Sequence, residues 1–336
     1  MIGFFALVGI FGLLALATLW GVSRTQAQFP PQGSFLEVDG VRLHYREAGT
    51  GAVLVLIHGS SGNLRDFSNS IFAPLSKTHR VIAIDRPGHG YSERPRGAWP
   101  DPERQAALIH GLLQQLEVKD PILVGHSWSG SLVLAYLLAF PEDAAAAVLL
   151  AGATHPWVGG VAWYNNLAGV PLLGDVFART LVYPLGSQTL ESAIAGVFAP
   201  NVVPAGYSES TGVILSLRPE VFLANAEDAR GLSEFLAVQS QHYGEIKQPL
   251  LLLTGEEDNI VPAWNHSDRL ARQALNSEQV SFAATGHALH HVHSARVVAL
   301  IEDFSRRQHL PLRQHDSKAA DRAERMIAPK ATLGAH

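Results

Sequence analysis

Short, uninterrupted runs of apolar residues restrict the fold of this chain more than any other feature of its sequence. Five runs of three to five residues are evident: Val53–Ile57, Val81–Ile84, Ile122–Val124, Val148–Leu150 and Leu250–Leu253. Consecutive apolar residues indicate strands that are buried on both faces, as in a parallel sheet. Helix-length stretches lie between them, most clearly at Asp101–Glu117 and Trp128–Phe140. This alternation predicts an α/β fold with a mostly parallel, doubly wound sheet.

The sheet is expected to begin with an antiparallel hairpin. Phe35–Val38 and Val41–Arg46 flank Asp39-Gly40, a residue pair typical of two-residue hairpin turns. Beyond the last apolar run, the pattern predicts three further elements: a helix near Trp264–Ala274, a strand at Gln279–Phe282 and a helix over Leu289–Arg307. The predicted core therefore comprises residues 35–152 and 249–308.

Residues 153–248 interrupt the alternation. They contain no buried strand pattern, and their aromatic residues are interspersed with prolines and glycines. Because a structureless loop of this length is rare in a compact domain, we predict a mainly helical cap, or lid, inserted into the core. Residues 309–336 are polar and are expected to be a disordered tail.

The N-terminal segment predicts an association with membranes. Ile2–Val22 carries no charge, and 21 helical residues would span about 30 Å, the thickness of a bilayer's hydrocarbon core. We therefore expect a single-pass membrane anchor over residues 1–22, followed by a linker over residues 23–34. Two alternatives remain. One is a signal peptide, whose cleavage would leave a secreted or periplasmic protein, although no Lys or Arg precedes the apolar run. The other is a buried core helix.

Charge and cysteine content exclude some classes of function. The formal net charge is −5, whereas a nucleic-acid partner would require a basic surface. The chain has no cysteine, which excludes disulfides, thiolate metal sites and a cysteine nucleophile. We expect a small-molecule substrate and no nucleic-acid partner.

The segment Val124-Gly125-His126-Ser127-Trp128-Ser129-Gly130 has the pattern of a nucleophile elbow. A buried strand that turns sharply into a helix pushes the residue at the turn out at the top of the sheet. Small residues two positions before and after the nucleophile permit this close approach. Gly125 supplies the first, and Ser129 stands where the second glycine is usual. The sequence therefore predicts Ser127 as the catalytic nucleophile, against the alternative of an ordinary Gly/Ser turn.

A serine nucleophile requires a base and an acid that orients the base. Asp258 follows the apolar run at Leu250–Leu253, and His287 follows the predicted strand at Gln279–Phe282. Both lie beyond the carboxyl ends of strands, where ligands bind in open α/β sheets. We therefore predict Asp258 and His287 as the other two catalytic residues. Glu256 and Glu257 are the alternative acids, interpreted here as solvated loop charges.

The segment His58-Gly59-Ser60-Ser61-Gly62 follows another buried strand and predicts an oxyanion hole. An acyl-transfer intermediate needs two N–H donors for its oxyanion. We assign these donors to the backbone amides of Ser60 and Trp128. His58 is interpreted as a structural residue that ties down the turn, with a role as a second base as the alternative.

Three histidines after the base suggest a possible metal site. His287 and His291 are four residues apart, and His290 and His293 lie close by. The glutamate of an H-E-x-x-H zinc helix is missing, so local packing or pocket lining is the preferred interpretation. No metal and no cofactor are expected.

Taken together, these motifs resemble the α/β-hydrolase superfamily. The segments involved are His58-Gly59, Asp85–Ser92, the elbow at Ser127, Gly255–Pro262 and Gly286-His287. The similarity is greatest to the branch with epoxide-hydrolase, haloperoxidase-like and esterase members, and it covers about Phe35–Phe304 except the lid. It implies an α/β-hydrolase fold that needs no metal or organic cofactor. The epoxide hydrolases and haloalkane dehalogenases of this branch carry aspartate at the elbow. Because this chain has Ser127 there, the resemblance disfavours those two activities.

The expected function is hydrolysis of an ester, thioester, lactone or related carbonyl compound with an apolar group, through an acyl-enzyme. The aromatic residues of the lid indicate the apolar group. Acyl transfer, perhydrolysis and hydrolysis of a carbon–carbon bond are alternatives for the same three residues. A binding protein without catalysis is a more remote alternative, because a binder has no need of all three groups.

Overall fold

The computed structural model describes residues 2–94 and 101–309, and its centre is an eight-stranded sheet. The strands are β1 (Ser34–Val38), β2 (Val41–Ala48), β3 (Val53–Ile57), β4 (Arg80–Ile84), β5 (Ile122–His126), β6 (Ala146–Leu150), β7 (Leu250–Gly255) and β8 (Ser277–Phe282). Their order across the sheet is β1-β2-β4-β3-β5-β6-β7-β8. The two pairings of β2, with β1 and with β4, are antiparallel, and all others are parallel. The predicted mostly parallel sheet with an antiparallel start is confirmed.

Burial on both faces explains the uninterrupted apolar runs. In β3, Val55 and Ile57 belong to one hydrophobic cluster, whereas Leu54 and Leu56 belong to another on the opposite face. Both faces of the sheet are therefore covered, as the apolar runs require. The helices are α1 (Ile2–Gln28), α2 (Ala73–Leu75), α3 (Pro102–Gln115), α4 (Ser129–Ala139), α5 (Trp163–Ala168), α6 (Leu173–Phe177), α7 (Tyr183–Phe198), α8 (Tyr207–Thr211), α9 (Pro219–Gln239), α10 (Ser267–Gln273), α11 (Leu289–Val292) and α12 (Ser294–His309).

The segment between β6 and β7 is helical, consisting of α5 to α9 joined by turns and loops. A π-helical turn at Ala178–Val182 leads from α6 into α7. Aromatic side chains from α5, α6 and α9 pack together in this segment: Trp163, Tyr164, Phe177 and Phe222. We call residues 153–248 the cap below.

Two predicted boundaries differ from the structure. Helix α1 continues to Gln28, so the first six residues of the predicted linker are helical. The helix predicted over Leu289–Arg307 is broken at His293, which separates α11 from α12. There the His293 ring forms a hydrogen bond of 2.8 Å with the Thr285 hydroxyl. The tail predicted to be disordered lies, apart from His309, outside the described residues.

A buried ion pair joins the core to the cap. Arg86, which follows β4, donates to the Asp228 carboxylate of α9 at 2.6 Å, and both side chains are completely buried. Arg94 binds the other oxygen of Asp228. The Arg86 guanidinium also lies 4.0 Å from the centre of the Trp128 indole ring, next to the elbow. This pair therefore fixes α9 over the residues that follow Ser127.

We expect Asp228→Ala to lower the free energy of unfolding by about 3–5 kcal/mol, because it leaves the Arg86 charge buried without its partner. Glu227→Ala is the matched control. Its carboxylate is one-third exposed and 3.7 Å from Arg94, so a loss below about 1 kcal/mol is expected. Urea denaturation measures both values. Equal losses of unfolding free energy in the two variants would contradict the inference that the buried ion pair stabilises the contact between core and cap.

Candidate active site

Ser127 lies at a sharp turn between β5 and α4. Its backbone has a φ of 52°, a left-handed conformation that non-glycine residues seldom adopt. Neighbouring residues hold this conformation, since the Ser127 amide donates to Leu150 and its carbonyl accepts from Gly130 and Ala153, each at 2.9 Å. The serine side chain is consequently presented above the carboxyl end of the sheet.

The close packing around the elbow depends on two glycines. A Cβ atom at Gly125 would lie 2.6 Å from the Ser129 carbonyl oxygen, and one at Gly130 would lie 2.7 Å from the Gly152 Cα. Ser129, in the usual position of the second glycine, is fully buried, and its hydroxyl donates to the His58 carbonyl. The serine at this position thus links the elbow to the loop after β3.

Ser127, His287 and Asp258 form a continuous hydrogen-bonded chain. The Ser127 Oγ is 2.8 Å from His287 Nε2, and His287 Nδ1 is 2.8 Å from Asp258 Oδ2. Pairing of Gly255 with Phe282 in β7 and β8 brings the loops of the acid and the histidine side by side. Glu256 and Glu257 are exposed. The structure therefore brings together the three residues predicted from the sequence and places the two alternative acids in solvent.

The Asp258 carboxylate is stabilised in its charged form. Its second oxygen accepts the amides of Ile260 at 2.8 Å and Val261 at 2.9 Å. Burial would raise the pKa of Asp258, but the hydrogen bond and charge of His287, with these two amides, outweigh it and lower the pKa. An ionised Asp258 holds the His287 ring with Nε2 toward Ser127.

The loop after β3 lies directly against the nucleophile. Ile57 pairs with Gly125 in the sheet, and a Cβ atom at Gly59 would be 2.8 Å from the Ser127 Cβ. The amides of Ser60 and Trp128 have no hydrogen-bond acceptor among the residues that the structure describes. Two free N–H groups therefore flank Ser127, at the positions predicted for the oxyanion hole.

Both ring nitrogens of His58 are engaged within the protein. Nδ1 donates to the Gly59 carbonyl at 2.8 Å, and Nε2 accepts the Arg86 amide at 3.1 Å. Complete burial and the nearby Arg86 charge lower the pKa of His58 to about 4. These contacts match the structural interpretation rather than a second base.

Two asparagines of the cap hold loops of the site, and sequence reasoning missed both. The Asn225 side chain accepts the Ser61 amide at 2.7 Å. The Asn201 side chain accepts the Gly286 amide and donates to the Ala284 carbonyl, both at 2.9 Å. No local pattern marks these residues, because each acts on a loop distant in the chain.

The histidines after the base are divided between two partners. His290 and His291 contact the Asp66 carboxylate at 3.2 and 3.0 Å, whereas His293 binds Thr285. Asp66, in the turn Leu64–Phe67 after β3, was also missed in the sequence. It lies 60 residues or more from the histidines that surround it, so spacing alone gives no signal.

Comparisons with known proteins agree with this architecture. A family model described as the alpha/beta hydrolase fold matches residues 52–294. The 2-hydroxymuconate semialdehyde hydrolase of Pseudomonas sp. (strain CF600) is 28% identical over 288 residues, covering 82% of this chain and 94% of that protein. A 2-hydroxy-6-oxononadienedioate/2-hydroxy-6-oxononatrienedioate hydrolase of Burkholderia vietnamiensis is 27% identical over 278 residues, covering 80% and 92%.

Solved structures show the same fold. Cfl2 of Burkholderia cenocepacia superposes with a TM-score of 0.68 at 22% sequence identity, covering 80% of this chain and 94% of its own. An epoxide hydrolase and a thermophilic esterase are also among the proteins that share this fold. With the sheet order, the elbow and the family match in agreement, this chain belongs to the α/β-hydrolase family.

Proposed function

We propose that this protein hydrolyses a small carbonyl compound with Ser127 as nucleophile, His287 as base and Asp258 as the acid that orients His287. The observation that carries the proposal is the chain of two 2.8 Å hydrogen bonds from Ser127 through His287 to Asp258. In such a chain the histidine accepts the serine proton as the hydroxyl attacks a carbonyl carbon.

The amides of Ser60 and Trp128 supply the second requirement of this chemistry. Attack by Ser127 places a negative charge on the former carbonyl oxygen, and two fixed N–H donors stabilise it. Collapse of this intermediate expels the leaving group and gives an acyl-enzyme. Water then attacks the acyl-enzyme with help from His287, which releases a carboxylic acid and restores Ser127.

For the bond that breaks, we propose a carbon–carbon bond next to a ketone. The named substrate of the Burkholderia vietnamiensis relative is a hydroxy-oxo dioate, which contains a ketone and carboxylates but no ester. Hydrolysis of such a compound must cleave a carbon–carbon bond. Because these relatives match about four-fifths of this chain, they support the same reaction type here more than the ester hydrolysis expected from the sequence.

The proton balance of this reaction uses the same residues. When the bond between the ketone carbon and its neighbour breaks, the neighbouring carbon keeps the electron pair. A conjugated carbonyl in the substrate spreads that charge, and protonated His287 returns the proton taken from Ser127 to the leaving group. The net reaction adds one water, with OH on the acyl carbon and H on the leaving carbon.

Hydrolysis of an ester, thioester or lactone is the second candidate. The hydrogen-bonded chain through His287 suffices for it, since protonated His287 can pass its proton directly to a leaving oxygen. Acyl transfer and perhydrolysis would use the same acyl-enzyme with a different acceptor in place of water.

A direct comparison of two substrates tests whether the enzyme prefers to hydrolyse a carbon–carbon bond or an ester bond. We expect kcat/KM for 2-hydroxy-6-oxo-2,4-heptadienoate, followed by loss of its conjugated absorbance, to exceed that for p-nitrophenyl butyrate by about tenfold or more. Ser127→Ala should abolish both activities and labelling by a fluorophosphonate. The reverse preference would support the ester reaction, and turnover of either substrate by Ser127→Ala would contradict the nucleophile.

A second experiment tests the acid. We expect Asp258→Asn to reduce kcat by about 10⁴-fold, as a neutral amide at this position allows the wrong imidazole tautomer. Glu256→Gln and Glu257→Gln are matched controls, since both carboxylates are exposed. Their kcat should stay close to that of the unchanged protein. A larger loss in either control than in Asp258→Asn would refute the assignment.

We also propose that α1 attaches the enzyme to a membrane. It is long and apolar enough to cross one, with a mean hydropathy of 2.2 over its best window and only 11% of that window buried. Leu13, Leu16 and Leu19 each expose more than 60% of their surface. Trp20 and Arg24 stack at 5.5 Å near its C-terminal end, and such residues are frequent where a helix meets the lipid headgroups.

The other face of α1 supports an anchor that is retained rather than cleaved. Thr25 Oγ1 is 2.7 Å from the Tyr183 hydroxyl of the cap. Gly21 lies so close to the Tyr183 ring that a Cβ atom there would be 2.1 Å from a ring carbon. A signal peptidase cutting near Gln28 would remove these contacts. We therefore favour attachment with the cap beside the bilayer surface, which would give apolar substrates a short path from lipid.

Membrane attachment predicts different behaviour for two forms of the chain. The full-length protein should remain with membranes through an alkaline carbonate wash, since insertion of apolar surface does not depend on ionic strength. A form lacking residues 1–17, which keeps the docked residues Gly21 and Thr25, should be soluble and retain turnover of short substrates. Release of the full-length protein by the wash, or a mature N-terminus near Gln28 by mass spectrometry, would refute the anchor.

A further inference from the structure

Close to the nucleophile, one carboxylate is surrounded by three imidazole rings. Asp66 Oδ2 is 3.2 Å from His290 Nε2 and 3.6 Å from His126 Nδ1, while Asp66 Oδ1 is 3.0 Å from His291 Nε2. All four side chains are at least nine-tenths buried. They come from three separate segments: the turn after β3, the end of β5 and helix α11.

His126 is the unusual member of this group. It makes no hydrogen bond with any residue that the structure describes, and its Nε2 atom is buried without a partner. The 3.6 Å separation from Asp66 is too long for a hydrogen bond. The separation is measured from Nδ1, so an ion held between the two side chains would bind Nδ1 and not the buried Nε2.

The arrangement fits the requirements of a tetrahedral cation. One ligand atom from each of Asp66, His126 and His290 lies within 4.8 Å of the other two. Zinc bonds of about 2.0–2.1 Å at tetrahedral angles place neighbouring ligand atoms about 3.4 Å apart. The observed separations of 3.2 and 3.6 Å from the Asp66 oxygen bracket this value.

The chemical types of the three ligands indicate which metal ion the site would bind. Two imidazoles and one carboxylate suit Zn²⁺ and similar transition metals, whereas Mg²⁺ and Ca²⁺ prefer sites made of oxygen atoms. His291, on the other Asp66 oxygen, would orient the carboxylate as outer partners of metal ligands do.

We propose that Asp66, His126 and His290 bind one Zn²⁺ ion. Three protein ligands leave a fourth tetrahedral position for water. The ion would fasten together the turn after β3, the strand that carries Ser127 and the helix that follows His287. Its role is to hold these segments in register, and the proposal does not depend on which bond the enzyme cleaves.

Metal titration of the full-length protein tests this site. The protein is purified in detergent without a histidine tag, treated with a chelator and titrated with ZnCl₂ by calorimetry, with MgCl₂ as a comparison. We expect one Zn²⁺ per chain, no binding of Mg²⁺ and a higher melting temperature of the Zn²⁺-loaded protein. X-ray absorption of that protein should show nitrogen and oxygen ligands at about 2.0–2.1 Å with imidazole scattering.

Two variants locate the ion. His126→Ala should weaken Zn²⁺ binding by about 100-fold or more, because it removes a ligand. His293→Ala is the matched control, since that ring binds Thr285 outside the cluster and its loss should leave the affinity unchanged. If His126→Ala does not fold, the stoichiometry and the absorption spectrum of the unchanged protein decide alone. Absence of stoichiometric Zn²⁺ binding, a spectrum without imidazole, or equal affinity in His126→Ala would overturn the proposal.

Discussion

The left-handed backbone of Ser127 is the constraint on which the rest of the site depends. A non-glycine residue with a φ of 52° is strained, at a cost of about 1–3 kcal/mol, and the surrounding structure must offset that cost. Hydrogen bonds to Leu150, Gly130 and Ala153 hold the turn. This conformation presents the Ser127 hydroxyl to His287, at 2.8 Å from Nε2. Strand β5, helix α4 and the loop after β6 all meet at this one residue.

The cap contributes to the site as a support as well as a cover. Asn225 holds the loop that carries the Ser60 amide, and Asn201 holds the loop that carries His287. The buried Arg86–Asp228 pair fixes α9 beside Trp128. Since buried polar groups are costly when unpaired, these contacts favour a single position of the cap over the core. Cap and core therefore position the loops of the site jointly.

Helix α1 packs against this same cap, through Gly21 and Thr25 on Tyr183. If α1 inserts into a bilayer as we propose, the membrane, the cap and the loops of the site are connected through direct contacts. The proposed zinc site also contacts the cap, since the Tyr207 hydroxyl is 3.4 Å from Asp66 Oδ1, and it joins three segments of the core. The segments around Ser127 would then be held by both the cap and the ion.

The sequence alone determined the sheet and the residues of the hydrogen-bonded chain. Uninterrupted apolar runs require strands buried on both faces, and motifs at strand ends are local in the chain, so Ser127, Asp258 and His287 could be recognised. Helix ends were less accurate: α1 runs past Val22 because its last turns pack on the cap, a contact invisible in the sequence. Only the tertiary structure revealed Asp228, Asn201 and Asn225, and the convergence of Asp66 with His126 and His290. Local patterns report the burial and turns of neighbouring residues, whereas these contacts join segments far apart in the chain, and only the folded core and cap bring them together.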